Sequence, residues 1–587
     1  MAKQHDQLRL AAEIAGQDHA AVLRICMSYK HVGLAYYFNM ISDDVAYNTD
    51  KGKWMRYVGP NWEEDEGNTV LSLIDIRVTD KLDLLVEAEK LLMDQLQAEV
   101  DDIKVPVAAA REAVKTAEKD LKQGYRLAAK NVNEDSSDDI SRRKNALTAA
   151  AEELAEQEQQ LGIKISEVRA QKRLISQMTK EINKYREAAG RNNLLAVAAT
   201  SINTRRVTSD MFDADTSYLC CQNTVLRFGK KGLITEVEPS PDLLLQKKLG
   251  CDYVRGARNT KWLAALREIC GDDDDTTPER SQAAFLLRLL GAALAGKGDL
   301  LRHGPILYGE GAQNGKDVVI NKPMMAVFGT YAMEHDSALL MREQIARSAT
   351  SANPLILSLP ALRLVIMREI EKGGVLSVKK YKELTGGGTA NGRDLHSSKY
   401  GQRPIIALVM LTTNDPPLIS HSDAGTQLRM SLVPFPYSFV DEPDLNNKWQ
   451  KKRDVDLEEQ IKEDLPGILN LLIEGWQDWM AGNRQLRVPL KVSMQTKEFF
   501  HEIDELAPWI EARVTHVDLA ANPNWRIDRT DAYRNYSDWY GKLTGRKAMT
   551  SHMFTRLMRS KGFTPENVGG KIWFYGINIS ETDIQTK

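Results

Sequence analysis

Two stretches of the chain carry apolar residues at every seventh position. The first is Val86, Met93, Val100, Val107, Val114, Leu121 and Ala128. The second, after a polar break at Asn131–Asp139, is Leu147, Leu154, Leu161, Val168, Ile175 and Ile182. Heptads sustained over this length predict two long helices folded back on each other as an antiparallel, coiled-coil hairpin over residues 81–190. Pro106 is expected to kink the first arm. The second column of the seam reads as weak, with Glu158 and Lys172 falling in it, so loose packing is expected. Such a hairpin serves either as a solvated spacer or as an arm that recognises a partner. Residues 1–80, ahead of it, read as a mixed α+β region. Leu10–Ile41 has helical patterning and Asp44–Val58 reads as a hairpin that turns at Lys51-Gly52.

Beyond residue 190 the pattern becomes globular. Tyr218–Cys221 and Thr224–Phe228 read as short strands, and Trp262–Ile269 and Arg280–Ala295 as helices flanking an acidic loop. Residues 191–300 form a region that precedes the core. Between 301 and 445, buried strand runs at Ile306–Tyr308, Arg363–Met367 and Ile405–Leu411 alternate with helical or polar segments. That alternation predicts an α/β core with a mainly parallel sheet. Residues 446–490 read as a helical connector, and 491–587 as a small terminal domain of helices followed by the aromatic strand Lys571–Gly576.

Composition adds constraints. The chain has 587 residues, 42% hydrophobic and 27% charged, with a formal net charge of −3. Any nucleic-acid binding must therefore rest on local positive patches. Cys26, Cys220, Cys221, Cys251 and Cys270 lack zinc-ligand spacing, and the pair Cys220-Cys221 reads as buried strand. No signal peptide or membrane span is expected, which points to a soluble, cytoplasmic protein without membrane contact.

Candidate chemistry begins where the first core strand ends, at Gly309-Glu310-Gly311-Ala312-Gln313-Asn314-Gly315-Lys316-Asp317-Val318. A glycine-rich loop between strand and helix can wrap phosphates with backbone N–H groups while its lysine reaches the β and γ phosphates. The loop departs from G-x-x-x-x-G-K-[ST] in two ways: it is one residue longer, and Asp317 stands where a hydroxyl normally holds Mg²⁺. The second strand run ends at Glu369, which could hold Mg²⁺ through water or orient the attacking water. The third ends in Thr412-Thr413-Asn414-Asp415-Pro416-Pro417, where Asn414 either contacts the γ-phosphate or belongs to a simple turn. Arg429 is either a surface charge or a finger that reaches a neighbouring subunit's nucleotide.

In this order, these elements resemble the AAA+ superfamily 3 helicases of the phage, plasmid and poxvirus primase–helicase family, over most of residues 190–580. The two halves of that family's phosphate loop are matched by Gly309-Glu310-Gly311 and Asn314-Gly315-Lys316. Its later motifs are matched by Glu369, by Lys382 with Gly386-Gly387-Gly388 and Arg393, by Asn414 with Pro416, and by Asp423, Gly425, Arg429 and Pro434-Phe435. An Asp usual beside the glycine turn is absent here. Phe212–Asp215, Leu226, Pro239 and Asp252-Tyr253 resemble the family's preceding domain. Asp504, Trp509, Tyr533, Tyr536, Trp539, Phe554, Arg556, Leu557 and Phe563 resemble its C-terminal winged helix.

The resemblance implies an ATP- and Mg²⁺-dependent DNA helicase that replicates viral or mobile-element DNA. It would be a homo-oligomeric ring, hexameric in such motors, moving 3′→5′ on single-stranded DNA, with a separate primase or polymerase as partner. Lys316, Glu369, Asn414 and Arg429 would be catalytic, and Asp317 and Glu369 would hold the metal. Asp317 leaves open a site that binds nucleotide without hydrolysis, in a DNA scaffold or primase-recruiting factor. No zinc cluster or paired-acid palm motif suggests a primase domain, and the 81–190 hairpin reads as an insertion. DNA contacts are expected at Arg393, Lys399 and Arg403, with Tyr400 stacking on a base. Arg556 and Arg559, on a recognition helix Thr550–Arg559, could meet duplex DNA, unless that domain docks protein instead.

Overall fold

The computed structural model describes residues 18–130, 135–272, 280–309, 311–341, 358–370, 374–393, 400–419, 424–545 and 547–581. The chain forms two compact units, residues 1–57 with 63–208, and residues 58–62 with 209–587.

In the first unit, helices Asp80–Ala128 and Asp135–Arg186 run as the hairpin. Pro106 lies inside the first helix. Val86, Val100, Val107 and Ile182 of the predicted column are buried. The second column differs from the expected one: on the face that carries buried Met178 and Tyr185, it passes through Gln157, Lys164 and Gln171 rather than Glu158 and Lys172. Its partner on the first arm includes Glu89, which is buried, accepts from Gln171 Nε2 at 2.6 Å and pairs with Arg24 at 2.8 Å. Glu158 instead pairs with Arg111 on the rim at 2.7 Å. The base of the hairpin shares one apolar core with helices Lys30–Met40 and Ala188–Thr200, through Leu34, Phe38, Leu82, Ile182, Tyr185 and Leu194. The hairpin strands Val45–Asn48 and Lys53–Tyr57 pair antiparallel across the expected Lys51-Gly52 turn.

The second unit is built around a five-stranded sheet, all parallel. Its strands are β1 (Gly304–Tyr308), β2 (Ala332–Asp336), β3 (Leu364–Arg368), β4 (Leu408–Thr413) and β5 (Met430–Pro434), in the order β5-β1-β4-β3-β2. The three strands legible in the sequence are β1, β3 and β4, buried on both faces as central parallel strands are. The two edge strands were not legible: β2 alternates polar with apolar, and β5 lies in the segment that reads as a motif before Pro434-Phe435. Within the segment 446–490, helix Leu465–Ala481 packs into the core through Ile468, Leu472 and Trp476. It crosses helix Gln282–Leu294 so closely that a Cβ on Gly291 would lie 2.3 Å from Leu472 O, and one on Gly475 2.1 Å from Leu287 O. Cys220, Cys221, Cys251 and Cys270 are free and buried in this same core.

Residues 506–579 close on a smaller core. Trp509, Tyr536, Phe554 and Phe574 pack edge to face or stacked, beneath helices Arg529–Thr544 and Ser551–Ser560. Strand Lys571–Tyr575 lies between Arg526–Asp528 and Pro565–Val568, antiparallel to both.

Candidate functional site

The register of the sheet brings the predicted site residues together. Tyr308 at the end of β1 pairs with Thr413 on β4, and Thr412 pairs with Arg368 on β3. The next residues along each strand, Gly309, Asn414 and Glu369, therefore leave the sheet side by side at its carboxyl edge, where ligands of open α/β sheets bind.

The loop after β1 is built on left-handed backbone. Gly311, Gln313 and Gly315 have φ of 76°, 66° and 79°. The extra residue is thus absorbed at Gln313, a non-glycine residue in a region that glycine prefers. Its carbonyl accepts from Phe439 N at 2.9 Å. Gly309 is required for space, since a Cβ there would lie 2.6 Å from Asn314 Cγ and 2.9 Å from Lys316 Nζ. Glu310 lies outside the described residues. After the loop the chain makes one π-type turn, Asp317–Asn321, before helix Lys322–Phe328. Wide turns of this kind recur at functional sites. Trp262 Nε1 secures this one by donating to Val319 O at 2.7 Å.

Lys316 is buried. Its Nζ donates to Thr413 O at 3.0 Å, Asn414 Oδ1 at 3.1 Å and Asn314 Oδ1 at 3.2 Å, with Gly309 O at 3.5 Å. All of these acceptors are neutral. Burial accordingly lowers the Lys316 pKa to about 8, with Asp317 pulling the other way. A buried cation surrounded only by neutral oxygens is suited to an incoming anion, and a phosphate would supply the missing charge.

The Asp317 carboxylate is already engaged. Its Oδ1 accepts from Asn321 Nδ2 at 2.6 Å and lies 3.2 Å from Arg368 Nη2, which also pairs with Glu334 at 2.9 Å. Asn321 is fully buried and accepts from Thr412 Oγ1 at 3.2 Å, which ties this turn to β4. Asp317 offers the hard oxygen that Mg²⁺ takes, with a guanidinium competing for it. Glu369 is exposed and has φ of 43°. Its N–H donates to Thr412 O at 3.0 Å and its carbonyl accepts from Ser337 Oγ, so both backbone groups are fixed while the carboxylate is left to solvent.

Arg429 stands at the other end of the sheet. It precedes β5, its carbonyl accepts from Gly304 N at 2.8 Å, and its guanidinium donates to Lys382 O at 3.0 Å. A strand of five residues, roughly 16 Å at the usual rise, separates it from the loop of its own chain. A Cβ on Gly386 would lie 2.3 Å from Arg429 Nη1, so the glycine turn makes room for this arginine.

Arg393 and Arg403 lie on the antiparallel pair Thr389–Arg393 and Tyr400–Pro404. Arg403 donates to Phe212 O at 3.2 Å. Lys399 and His396 lie outside the described residues, as does Asp423. Arg556 and Arg559 are exposed on helix Ser551–Ser560, which turns Phe554 and Met558 inward and leaves Leu557 half-buried. The expected inward pair was Phe554 and Leu557. Asp504 is structural: it accepts from Leu506 N and Ala507 N at 3.1 and 3.2 Å at the start of a helix.

One part of the site escaped the sequence reading. Beside the loop is a cavity of about 240 Å³ lined by Ile269, Val318, Phe439 and Leu457, with Glu268 and Arg453 among its polar groups. These residues come from distant segments, and no local pattern links them.

Residues 33–271 match the family model described as D5 N terminal like. The match begins well ahead of residue 190, spans the stretch that holds the long hairpin, and ends before the glycine loop. A protein of Acanthamoeba polyphaga mimivirus that carries a helicase name is 24% identical over 311 residues, 49% of this chain and 31% of its own length. The chain thus spans about a third of that relative. Two solved apo structures of the NrS-1 C-terminal region overlap loosely, with TM-scores of 0.32 and 0.31 and identities of 10% and 9%. They cover 57% and 61% of this chain and 79% and 94% of theirs. Among the described residues no helix is long and apolar enough to cross a membrane. The chain is thus similar to a D5 N-terminal-like domain over residues 33–271, and to a viral protein with a helicase name over about half of its length.

Proposed function

We propose that the chain is an ATP-driven DNA helicase with an AAA+ superfamily 3 core, acting in viral or mobile-element replication as a ring of identical subunits. The observation that carries this reading is the convergence on Lys316 Nζ of the glycine loop and Asn414 from the neighbouring strand. In this reading the loop amides and Lys316 hold the β and γ phosphates, and the base lies against Phe439 and Ile269 in the adjoining cavity. Asp317 and Glu369 would hold Mg²⁺, which neutralises developing phosphate charge when bound. Glu369 orients the attacking water. Asn414, freed from Lys316 when phosphate arrives, contacts the γ-phosphate. Arg429, remote from its own loop, serves a neighbouring subunit, so the working site lies between subunits. The basic pair of strands at 389–404 and the Arg556–Arg559 face of a winged-helix-like domain contact DNA.

The test is ATP hydrolysis with and without single-stranded DNA, alongside strand displacement. Lys316→Ala is expected to lower DNA-stimulated hydrolysis by on the order of 10²-fold or more, the usual cost of removing one preorganised charge from a transition state. Unchanged hydrolysis in that variant refutes the reading. The pairing of Asp317 with Arg368 favours a second reading, a nucleotide-binding scaffold that assembles on DNA without unwinding it. Nucleotide-dependent assembly with neither hydrolysis nor displacement would select it.

A further inference from the structure

The second unit holds another cavity, of about 460 Å³, that shares no lining residue with the glycine loop or the pocket beside it. It opens between strand Val225–Phe228 with its following turn and the last turns of helix Leu465–Ala481. Four cations line it: Arg227, Lys230, Lys297 and Arg484. No carboxylate does, among the described residues, and none of the four forms a described salt bridge. Arg227 rests over the Tyr218 ring at 5.6 Å and Lys297 reaches Thr216 Oγ1 at 3.4 Å. The nearby acid is Asp215, whose carboxylate accepts from Ser217 N at 2.9 Å. Asp215 offsets part of the charge of Arg227 and Lys297, and the remaining surplus of positive charge at one concavity favours an incoming anion.

The floor is aromatic. Trp476 and Trp479 stand three residues apart on one face of the helix, 2% and 1% exposed, and Phe228 meets Trp476 edge to face at 4.8 Å. The Nε1 atoms of both indoles are buried without a hydrogen-bond partner. Both nitrogens lie beneath the cavity surface, so the tryptophans give the cavity an apolar, aromatic floor rather than hydrogen-bond donors. Gln477 fixes the mouth by donating to Gly232 O at 3.2 Å, and the wall on that side ends in Asn483 and Arg484, both left-handed at φ of 54° and 60°.

We propose that this cavity binds a nucleotide, its phosphate on the four cations and its base against the tryptophans, either as a free mononucleotide or as one unit of a single strand. The volume lies within the roughly 300–1,000 Å³ typical of small-ligand sites. Base–aromatic stacking combined with cations along the backbone is how proteins hold single strands. The site is separate from the phosphate loop and does not depend on hydrolysis there.

The test uses the full chain and two probes, dTMP and a fluorescein-labelled oligo(dT), at 50–200 mM salt. Arg227→Glu with Lys230→Glu is expected to weaken the bound probe at least tenfold. If the strand is the ligand, the salt slope should fall by about 1.4, near 0.7 for each phosphate no longer neutralised. Trp479→Phe trims the aromatic floor without changing charge, and is expected to weaken binding severalfold with the slope unchanged. Loss for dTMP alone assigns a free nucleotide, and loss for oligo(dT) assigns the strand; either supports the site. Thermal unfolding of each variant checks its fold, and Lys230→Gln, at an exposed and unpaired position, replaces the double variant if that one unfolds. The proposal is overturned if neither probe responds, or if the dTMP signal is abolished by Lys316→Ala and untouched by the cavity variants.

Discussion

Lys316 is the residue on which the site turns, and its surroundings set a pH dependence. Its pKa is held near 8 by burial, well below that of a lysine in the unfolded chain. Between about pH 8 and the ordinary lysine value near 10.4 the unfolded state binds the extra proton, so this residue's contribution to stability rises with pH across that window. Anion binding has the opposite sign. Above pH 8 the free site must take up a proton to hold a phosphate, so ATP affinity should fall as pH rises from 7 to 9, by about tenfold per unit once past the pKa. Calorimetric titration in buffers of different ionisation enthalpy would register the proton uptake; an affinity flat across that range would contradict it. A second effect belongs to Asp317 and Arg368. Arg368→Ala leaves Asp317 and Glu334 without their guanidinium beside the phosphate site. Nucleotide affinity should drop severalfold at sub-millimolar Mg²⁺, recover as Mg²⁺ is raised, and lose most of that sensitivity when Asp317→Ser is added. The sequence makes the charge at 317 visible as a departure from a motif. It hides the compensation, because Arg368 belongs to another strand and only the β3–β4–β1 register makes the two residues neighbours.

At the level of elements, the legible features were those with a period or a terminal signal: the heptads, the hairpin turning at Gly52, and the three doubly buried strands that carry Gly309, Glu369 and Asn414. Strand β2 was not legible because, half exposed, it needs no continuous apolar run, and β5, as buried as the central strands, was hidden by the buried Ser431 that breaks its apolar run. The backbone contact between Gln282–Leu294 and Leu465–Ala481 was equally hidden, since a small residue inside a helix does not show what it faces. That contact is tight enough to test. Gly475→Ala would drive a methyl into Leu287 O and Arg288 N, and is expected to destabilise the second unit by about 1–3 kcal/mol, as overpacking does. Chemical denaturation followed by tryptophan fluorescence would measure it, through Trp476 and Trp479 on the same helix. His303 gives the sheet a different sensitivity. Buried against Phe285, with its Nε2 2.8 Å from Ser431 Oγ, it has its pKa lowered by burial to about 4. The unfolded chain takes up that proton near pH 6.5 and the folded chain does not, so His303 stabilises fully above pH 6.5 and progressively less toward pH 4. His303→Gln should flatten the loss of stability between those values.

Across the whole molecule, the two units differ in how their parts depend on one another. The second gathers helices from both ends of its sequence around the sheet, so its folding is expected to be cooperative. The first concentrates its core at the hairpin base, where Leu82, Val86, Met178, Ile182 and Tyr185 meet the flanking helices. Beyond Ala110 the first arm has few buried side chains. Excising residues 93–171 and joining the arms with a short linker should therefore remove much of the helical circular-dichroism signal yet shift the melting of what remains by only a few degrees. A collapse of the remainder would show that the outer arm carries stability. The heptads announced this hairpin, but they could not show how polar its second column is. The consequence of Glu89, Gln157, Lys164 and Gln171 along that seam is a gradient in time. Local opening costs least where few apolar side chains are buried, so amide hydrogens should exchange slowly near Val86 and Ile182 and progressively faster outward. The arm would then behave less as a rigid strut than as a clasp that unzips from its far end at a rate set by its seam.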